Sequence, residues 1–383
     1  MIIVKKIIRD ILNNKPYRNL THLRNFCAVK DQSLESNPQP EQDNDESKRN
    51  TLLKEFENEL PRRPGVDPKD TSIILFPGQG TQYVGMGKEL LRFPRALSLF
   101  KFANEILKYD LLKICLEGPV EKLNRTEYAQ LAVMVSSLAA LEQLREERPR
   151  AIENCVATAG FSLGEITALV FAGALQFDKA LKLVQVRANA MQAACDKASG
   201  AMAMVLYAPD AQLGKACLQA KQWCIDRGVE SPYCGIANYM YPQCKIIAGN
   251  TEAVEFLEKN AKALKIKRMR RLPVSGAFHT PLMESAVEPF AKALKSMYIE
   301  EPAVRVYSNI DGKPYKNHTH ILKLLPKQIV KPVKWEQTLL YLYDRKLGTN
   351  FPRTFECGPG KGLVQVLEKV NAKAAATAFN IPA

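Results

Sequence analysis

The sequence predicts an α/β protein built on a parallel sheet, with a second, smaller β-rich unit inserted in it. Two observations point to the main sheet. Short apolar runs break at glycine-containing loops and lead into helical patterns, first over 72–76 before Pro77-Gly78-Gln79-Gly80. The same happens at Val156-Ala157-Thr158-Ala159 before Gly160-Phe161-Ser162-Leu163-Gly164-Glu165. A third observation sets the insertion apart: from 199 to 270 the patterns run β-α-β-β-α-β, the order of a ferredoxin-like unit. The 383 residues, 46% hydrophobic and 25% charged, suffice for one large domain or two modest ones with a substantial core.

The chain begins with a segment of different character. Lys5, Lys6, Arg9, Lys15, Arg18, Arg24 and Lys30 face one acid, Asp10, beside an amphipathic pattern of Ile2, Ile3, Ile7, Ile8, Ile11 and Leu12. Basic, amphipathic and acid-poor is the signature of a mitochondrial transit peptide, expected over 1–30; a basic arm is the alternative. Residues 31–70 are polar, then proline-bearing, and read as a linker with one short helix over 52–60.

The main body is expected over 71–198 and 271–375, with the small unit over 199–270 between its halves. After the first strand, helices are expected over 88–93, 97–109 and 127–147, the last carrying the apolar run Gln130-Leu131-Ala132-Val133-Met134-Val135. The second strand and its serine turn precede a small, apolar helix over 165–175. The next helix takes Asp178 as its N-cap. On that helix Leu181, Val184, Ala188 and Met191 make one stripe, and Leu183, Arg187, Ala190 and Ala194 an adjacent one. Within the small unit, strands alternate with helices from 213 and from 251. Beyond it come the loop Val274-Ser275-Gly276-Ala277-Phe278-His279-Thr280-Pro281, a helix over 284–298, a strand over 304–309 and a helix over 321–330. A helix from Trp335 and a strand into Gly358-Pro359-Gly360 follow, and the alanine-rich end from 372 reads as peripheral.

Composition narrows the function. A formal charge of +14 favours an acidic partner without choosing among nucleic acid, anionic lipid, acidic protein and polyanionic small molecule. Nine cysteines, none in a C-x-x-C pair, and four histidines give no zinc spacing; they read as reduced thiols in a non-oxidising compartment. No apolar run approaches the roughly 20 residues that span a bilayer.

Gly160-Phe161-Ser162-Leu163-Gly164 fits G-x-S-x-G in a strand–turn–helix setting, the context of an exposed nucleophile; a tight structural turn is the bland alternative. A serine nucleophile needs a base. Of the four histidines only His279 lies in a segment resembling a functional loop, since His22 falls in the N-terminal segment and His318 and His320 in a polar turn. No acid stands out as a third member, so a backbone carbonyl remains open as the orienting group. Glu165 reads as part of the helix start. An oxyanion would take the Leu163 amide and a second donor from the Pro77–Gly80 loop. Arg187, between apolar rows, is suited to an acyl group that is itself an acid, or else lies on the surface at a helix kink.

Taken together these segments resemble the malonyl-CoA:acyl carrier protein transacylase family. The resemblance runs through Pro77-Gly78-Gln79-Gly80 with Gln82, the serine motif, Gln185-Val186-Arg187 and Met191-Gln192. It continues through Gly276-Ala277-Phe278-His279-Thr280-Pro281-Leu282-Met283, Ser308-Asn309, Gln328 ahead of Pro332-Val333-Lys334-Trp335, and Glu356-Cys357-Gly358-Pro359-Gly360. These motifs, in register over residues 72–370, look most like the mitochondrial animal branch. The resemblance implies an α/β-hydrolase-like core whose inserted domain forms one wall of a cleft. It implies a ping-pong transfer with Ser162 as nucleophile and His279 as base. Gln79 and the Leu163 amide would hold the oxyanion, Arg187 the malonyl carboxylate, and the Gln328 carbonyl the histidine. The partners implied are malonyl-CoA and phosphopantetheinylated acyl carrier protein, in the mitochondrial matrix, with no cofactor beyond the coenzyme A thioester substrate, no metal and no nucleic acid. One departure is Asn238-Tyr239-Met240-Tyr241-Pro242, whose Tyr241 is bulkier than the serine of many bacterial members. The run Lys265, Lys267, Arg268, Arg270 and Arg271 is a candidate dock for carrier protein or coenzyme A, or else a solvated strand edge. Two other readings compete: a serine thioesterase or hydrolase on the same core, and an RNA-binding module, which lacks stacking aromatics among its basic clusters.

Overall fold

In the computed structural model, residue 63 and residues 65–383 are described, apart from 198, 275 and 347. The transit-peptide reading of 1–30 and nearly all of the 31–70 linker lie outside them. Ten strands are described: β1 Ser72–Phe76, β2 Cys155–Gly160, β3 Gly200–Tyr207, β4 Cys234–Tyr241, β5 Cys244–Asn250, β6 Ile266–Arg271, β7 Arg305–Tyr307, β8 Val333–Lys334, β9 Arg353–Cys357 and β10 Ala378–Ile381.

The first sheet has the order β10-β9-β1-β2-β7, and every neighbouring pair in it is parallel. All five residues of β1 are buried, as expected of a central parallel strand covered on both faces. Successive side chains point to opposite faces. Ile74 and Phe76 join the cluster made with helices Thr126–Glu147, Leu163–Phe171 and Phe177–Lys197. Ile73 and Leu75 join the cluster made with helices Trp335–Tyr343 and Gly362–Val370.

The second sheet has the order β6-β3-β5-β4-β8. Its first four strands are antiparallel neighbours, and helices Leu213–Ile225 and Thr251–Lys259 cover one face through a separate apolar cluster. β8 comes from the returning chain and pairs parallel to β4 at Asn238↔Val333 and Tyr239↔Lys334. An ion pair at the same seam, Lys245 to Glu336 at 2.9 Å, links β5 to the helix after β8.

Several elements differ from the sequence reading. Asp178 lies inside the first turn of its helix, which begins at Phe177. The helix expected over 321–330 is a short α-helix, His318–Leu324, followed by a 3-10 turn, Leu325–Ile329, because Pro326 removes an amide donor. The segment expected as a helix over 284–298 divides the same way, into a 3-10 turn Pro281–Ala286 and a helix Val287–Lys295. The end of the chain is not peripheral. β10 pairs with β9, Ile381 and Ala383 are buried, and the Tyr83 hydroxyl donates to the Ala383 carbonyl. A four-residue strand carries too little periodicity to stand out beside an alanine-rich stretch.

Candidate active site

The parallel sheet brings four loops together at the carboxyl ends of its strands, where α/β proteins place their sites. β1 leads into Pro77–Gly80, β2 into Ser162, β7 into Ser308-Asn309 and β9 into Gly358. β1 and β2 are direct neighbours, so the first two loops touch: a Cβ on Gly78 would lie 2.4 Å from the Phe161 carbonyl oxygen.

The serine sits between β2 and the helix Leu163–Phe171, at φ 53°. Such a left-handed conformation is costly for a non-glycine residue and persists only where its surroundings impose it. The sequence reading gives the turning freedom to the two glycines of the motif; the structure puts the strained dihedral on Ser162 itself. The glycines serve close approach. A Cβ on Gly160 would lie 1.8 Å from the Gly164 carbonyl oxygen, and one on Gly164 would lie 2.2 Å from that of Phe76. Asn309 clamps the turn from both sides, its Nδ2 donating to Gly160 O at 2.8 Å and its Oδ1 accepting from Ser162 N at 2.7 Å. As the first helical residue, Leu163 has no intrahelical acceptor for its N–H, which is therefore available to a developing anion.

His279 comes from the loop after β6 and, like Ser162, has a positive φ, 61°. Its Nε2 is 2.9 Å from Ser162 Oγ and its Nδ1 is 2.6 Å from the Gln328 carbonyl. A carbonyl only accepts, so Nδ1 carries the proton and Nε2 has its lone pair free for the serine hydroxyl. The third member is thus a backbone carbonyl, one of the alternatives left open by the sequence. Burial, then the positive charge of Arg187, push the imidazole down to about 4, with the Gln328 hydrogen bond opposing. At neutral pH it is uncharged, with a lone pair free to accept a proton.

Arg187 is on the inward face of its helix, with 1% of its surface exposed, which excludes the surface-kink reading. Its Nη1 donates to Gln130 Oε1 at 2.6 Å; its Nη2 donates to Gln328 Oε1 at 2.8 Å and to Ser162 Oγ at 3.2 Å. Burial lowers its pKa to about 10 while the charge of Glu165 opposes, so it stays a cation at neutral pH. Amide oxygens hold the guanidinium in place, and among the described residues no ion pair joins it to a carboxylate, Glu165 acting on it only through space, which leaves a fixed positive charge beside Ser162.

Gln328 joins these parts. Its carbonyl accepts from His279, its Oε1 faces Arg187, and its Nε2 donates to Ser162 O at 2.8 Å and Glu165 Oε2 at 2.5 Å. Gln79 lies on the loop after β1. Its side chain is engaged with Thr126 and Gln130, at 3.2 and 3.3 Å, which leaves the main chain of its loop as the source of any donor directed at Ser162. Sequence reasoning gave no site role to Gln130, Asn309 or Tyr315, and it read Glu165 only as part of the helix start. For Gln130 the signal was present, a lone amide opening an apolar helical run.

Other features lie elsewhere. A cleft of about 550 Å³ lined by Thr71, Arg148, Arg150, Arg353 and Phe355 is at the opposite ends of β1 and β9 and contains none of these residues. Among the described residues eight cysteines are buried and none forms a disulfide, and no cluster of three or more His, Cys, Asp or Glu is arranged to hold a metal. No helix among them is long and apolar enough to cross a membrane. In the basic run, Lys265 pairs with Asp210 and Arg271 with Glu258, while Lys267, Arg268 and Arg270 are exposed.

Comparison with known proteins places this geometry. The acyl transferase domain family matches residues 73–350. A Drosophila melanogaster protein named "Probable malonyl-CoA-acyl carrier protein transacylase, mitochondrial" is 74% identical over 336 residues, 87% of this chain and 89% of its own. The human mitochondrial malonyl-CoA-acyl carrier protein transacylase is 50% identical over 307 residues, 80% of this chain and 79% of its own. Among solved structures, the malonyl CoA-acyl carrier protein transacylase of Coxiella burnetii matches with a TM-score of 0.73 at 31% identity, over 83% of this chain and 95% of its own.

Proposed function

This chain belongs to the acyl transferase domain family, among the malonyl-CoA:acyl carrier protein transacylases, and from that premise we propose how its residues carry out the transfer. The enzyme moves a malonyl group from coenzyme A to the phosphopantetheine thiol of acyl carrier protein. Ser162 Oγ attacks the thioester carbonyl carbon as His279 Nε2 takes the hydroxyl proton. The carbonyl π electrons move onto oxygen, and the Leu163 N–H and a main-chain donor of the Pro77–Gly80 loop hold that oxyanion. On collapse the C–S bond breaks and the imidazolium returns its proton to the departing thiolate, leaving malonyl-serine. The carrier thiol then gives its proton to His279, attacks the ester, and the serine oxygen leaves with that proton.

The observation that carries this reading is the buried Arg187, 3.2 Å from Ser162 Oγ and, among the described residues, in no ion pair with a carboxylate. A general serine hydrolase has no use for a cation there, whereas an acyl group bearing a carboxylate supplies the missing countercharge. The thioesterase or hydrolase alternative is not favoured for that reason. The protein acts in the mitochondrion, as its relatives' names support, and we place it in the matrix. The test is incubation with labelled malonyl-CoA. The wild type is expected to acquire a covalent malonyl group and pass it to carrier protein, and Ser162→Ala to acquire none. Label persisting on the alanine variant would remove Ser162 from the reaction.

A further inference from the structure

Glu165 opens the helix after the serine, yet none of its surface is exposed and its carboxyl points into the site. The Tyr315 hydroxyl donates to one of its oxygens, and Gln328 Nε2 donates to the other. Tyr315 is itself buried and tied to the sheet through its N–H, which donates to Val306 O in β7 at 2.8 Å. Two acceptors, Glu165 and the Ser162 carbonyl, therefore hold the nitrogen of the Gln328 amide on one side, which leaves its oxygen toward Arg187. Turned over, that amide would set its oxygen against the Glu165 carboxyl and its NH₂ against the guanidinium. In a buried site the second contact is repulsive, the first is so whenever the carboxyl is ionised, and neither group has water to turn to.

We propose that Glu165, held by Tyr315, is a specificity-determining positioning residue: it sets the orientation of the Gln328 amide, and thereby keeps Arg187 in place for an acyl group that bears a carboxylate. The proposal rests on the transacylase reading of Ser162 and goes beyond it. Glu165 does not touch the acyl group; it acts through Gln328.

The experiment compares initial rates with malonyl-CoA and acetyl-CoA for the wild type, Glu165→Ala, Glu165→Gln and Tyr315→Phe. Glu165→Ala is expected to lower the malonyl/acetyl ratio of kcat/KM about tenfold, chiefly through KM for malonyl-CoA, the effect of losing about one charge-assisted hydrogen bond. Glu165→Gln keeps an oxygen acceptor for Gln328 and is expected to restore the ratio to within about threefold of wild type. Should Glu165→Ala fail to give a cooperatively folding protein, Tyr315→Phe, which removes only a hydroxyl, is expected to lower the ratio at least about threefold. A ratio unchanged in the folded variants, with both substrates losing rate equally, would make Glu165 a purely structural residue and overturn the inference. A wild-type enzyme that failed to accept malonyl would instead overturn the function proposed above.

Discussion

Replacing Arg187 by alanine separates two roles that the structure allows this side chain. Its Nη2 is 3.2 Å from Ser162 Oγ, so it could act on the serine; among the described residues no ion pair ties it to a carboxylate, Glu165 acting only through space, so it could hold the acyl group. If it holds a carboxylate through two charge-assisted hydrogen bonds of about 1.5–3 kcal/mol each, its loss costs about 3–6 kcal/mol of transition-state binding for malonyl. At about 1.4 kcal/mol per decade, kcat/KM for malonyl-CoA falls about 10²- to 10⁴-fold. Acetyl-CoA has no carboxylate to lose and is expected to change by no more than about fivefold. The truncation also strands the buried Oε1 atoms of Gln130 and Gln328, each worth about 1–3 kcal/mol, offset in part by removing a buried charge. Denaturant unfolding of the variant therefore accompanies the kinetics, so that rates are compared per folded molecule. Equal losses with both thioesters would refute the reasoning and assign Arg187 to the serine.

Further expectations follow from packing, pH and charge. Gly164→Ala sets a Cβ 2.2 Å from the Phe76 carbonyl oxygen, which backbone cannot readily yield, so stability should fall by about 3 kcal/mol or more, whereas Gly214→Ala, with nothing within 4 Å, should be neutral or stabilising by up to about 1 kcal/mol; equal melting temperatures for the two would contradict the packing argument. Burial raises the Glu165 and Glu356 carboxyls from 4.5 to about 7, so below pH 4.5 both states are protonated, and between 4.5 and 7 the unfolded chain holds fewer protons, stability being lost as pH rises through about 7. His279, lowered from 6.5 to about 4, acts in the opposite sense, its contribution being present above 6.5 and lost as pH falls toward 4. Glu356→Gln should accordingly gain stability relative to wild type between pH 5 and pH 8, by about 3 kcal/mol at most, and a curve parallel to wild type in denaturant titrations would show that the carboxyl is not raised. Charge reversal at Arg268 and Arg270, exposed on one face of the edge strand β6, should raise KM for acyl carrier protein and leave KM for malonyl-CoA unchanged; no change for carrier protein would remove this strand from the docking surface.

Much of the site is legible in the chain because its parts sit on local signals. A strand that ends in G-x-S-x-G marks Ser162 without any knowledge of the rest. The scarcity of histidine leaves His279 as the candidate base, whereas an arginine set between apolar rows left burial and a surface kink both open for Arg187 until its 1% exposure decided between them. The succession of strands and helices along the small unit is likewise local, since each element carries its own periodicity, whereas their order in the sheet is set by pairing. The short irregular pieces are less legible. The 3-10 turn that presents the Gln328 carbonyl and the edge strand β10 have too few residues to show a period, and only their neighbours make them necessary.

By itself, then, the sequence determined which candidate groups are available: a serine at a strand end, one histidine in a suitable loop, one arginine between apolar rows, and a basic composition suited to acidic partners. Tertiary structure decided how those groups are held. It put the strain of the turn on Ser162 and used Gly160 and Gly164 for backbone contact. It supplied a carbonyl as the histidine's partner, turned the Gln79 side chain toward Thr126 and Gln130, and drew Glu165 into a buried chain with Tyr315 and Gln328. The reason is physical. Residue type and spacing encode backbone preference and burial, which are local, whereas Glu165 and Gln328 lie 163 positions apart and meet only when the sheet closes.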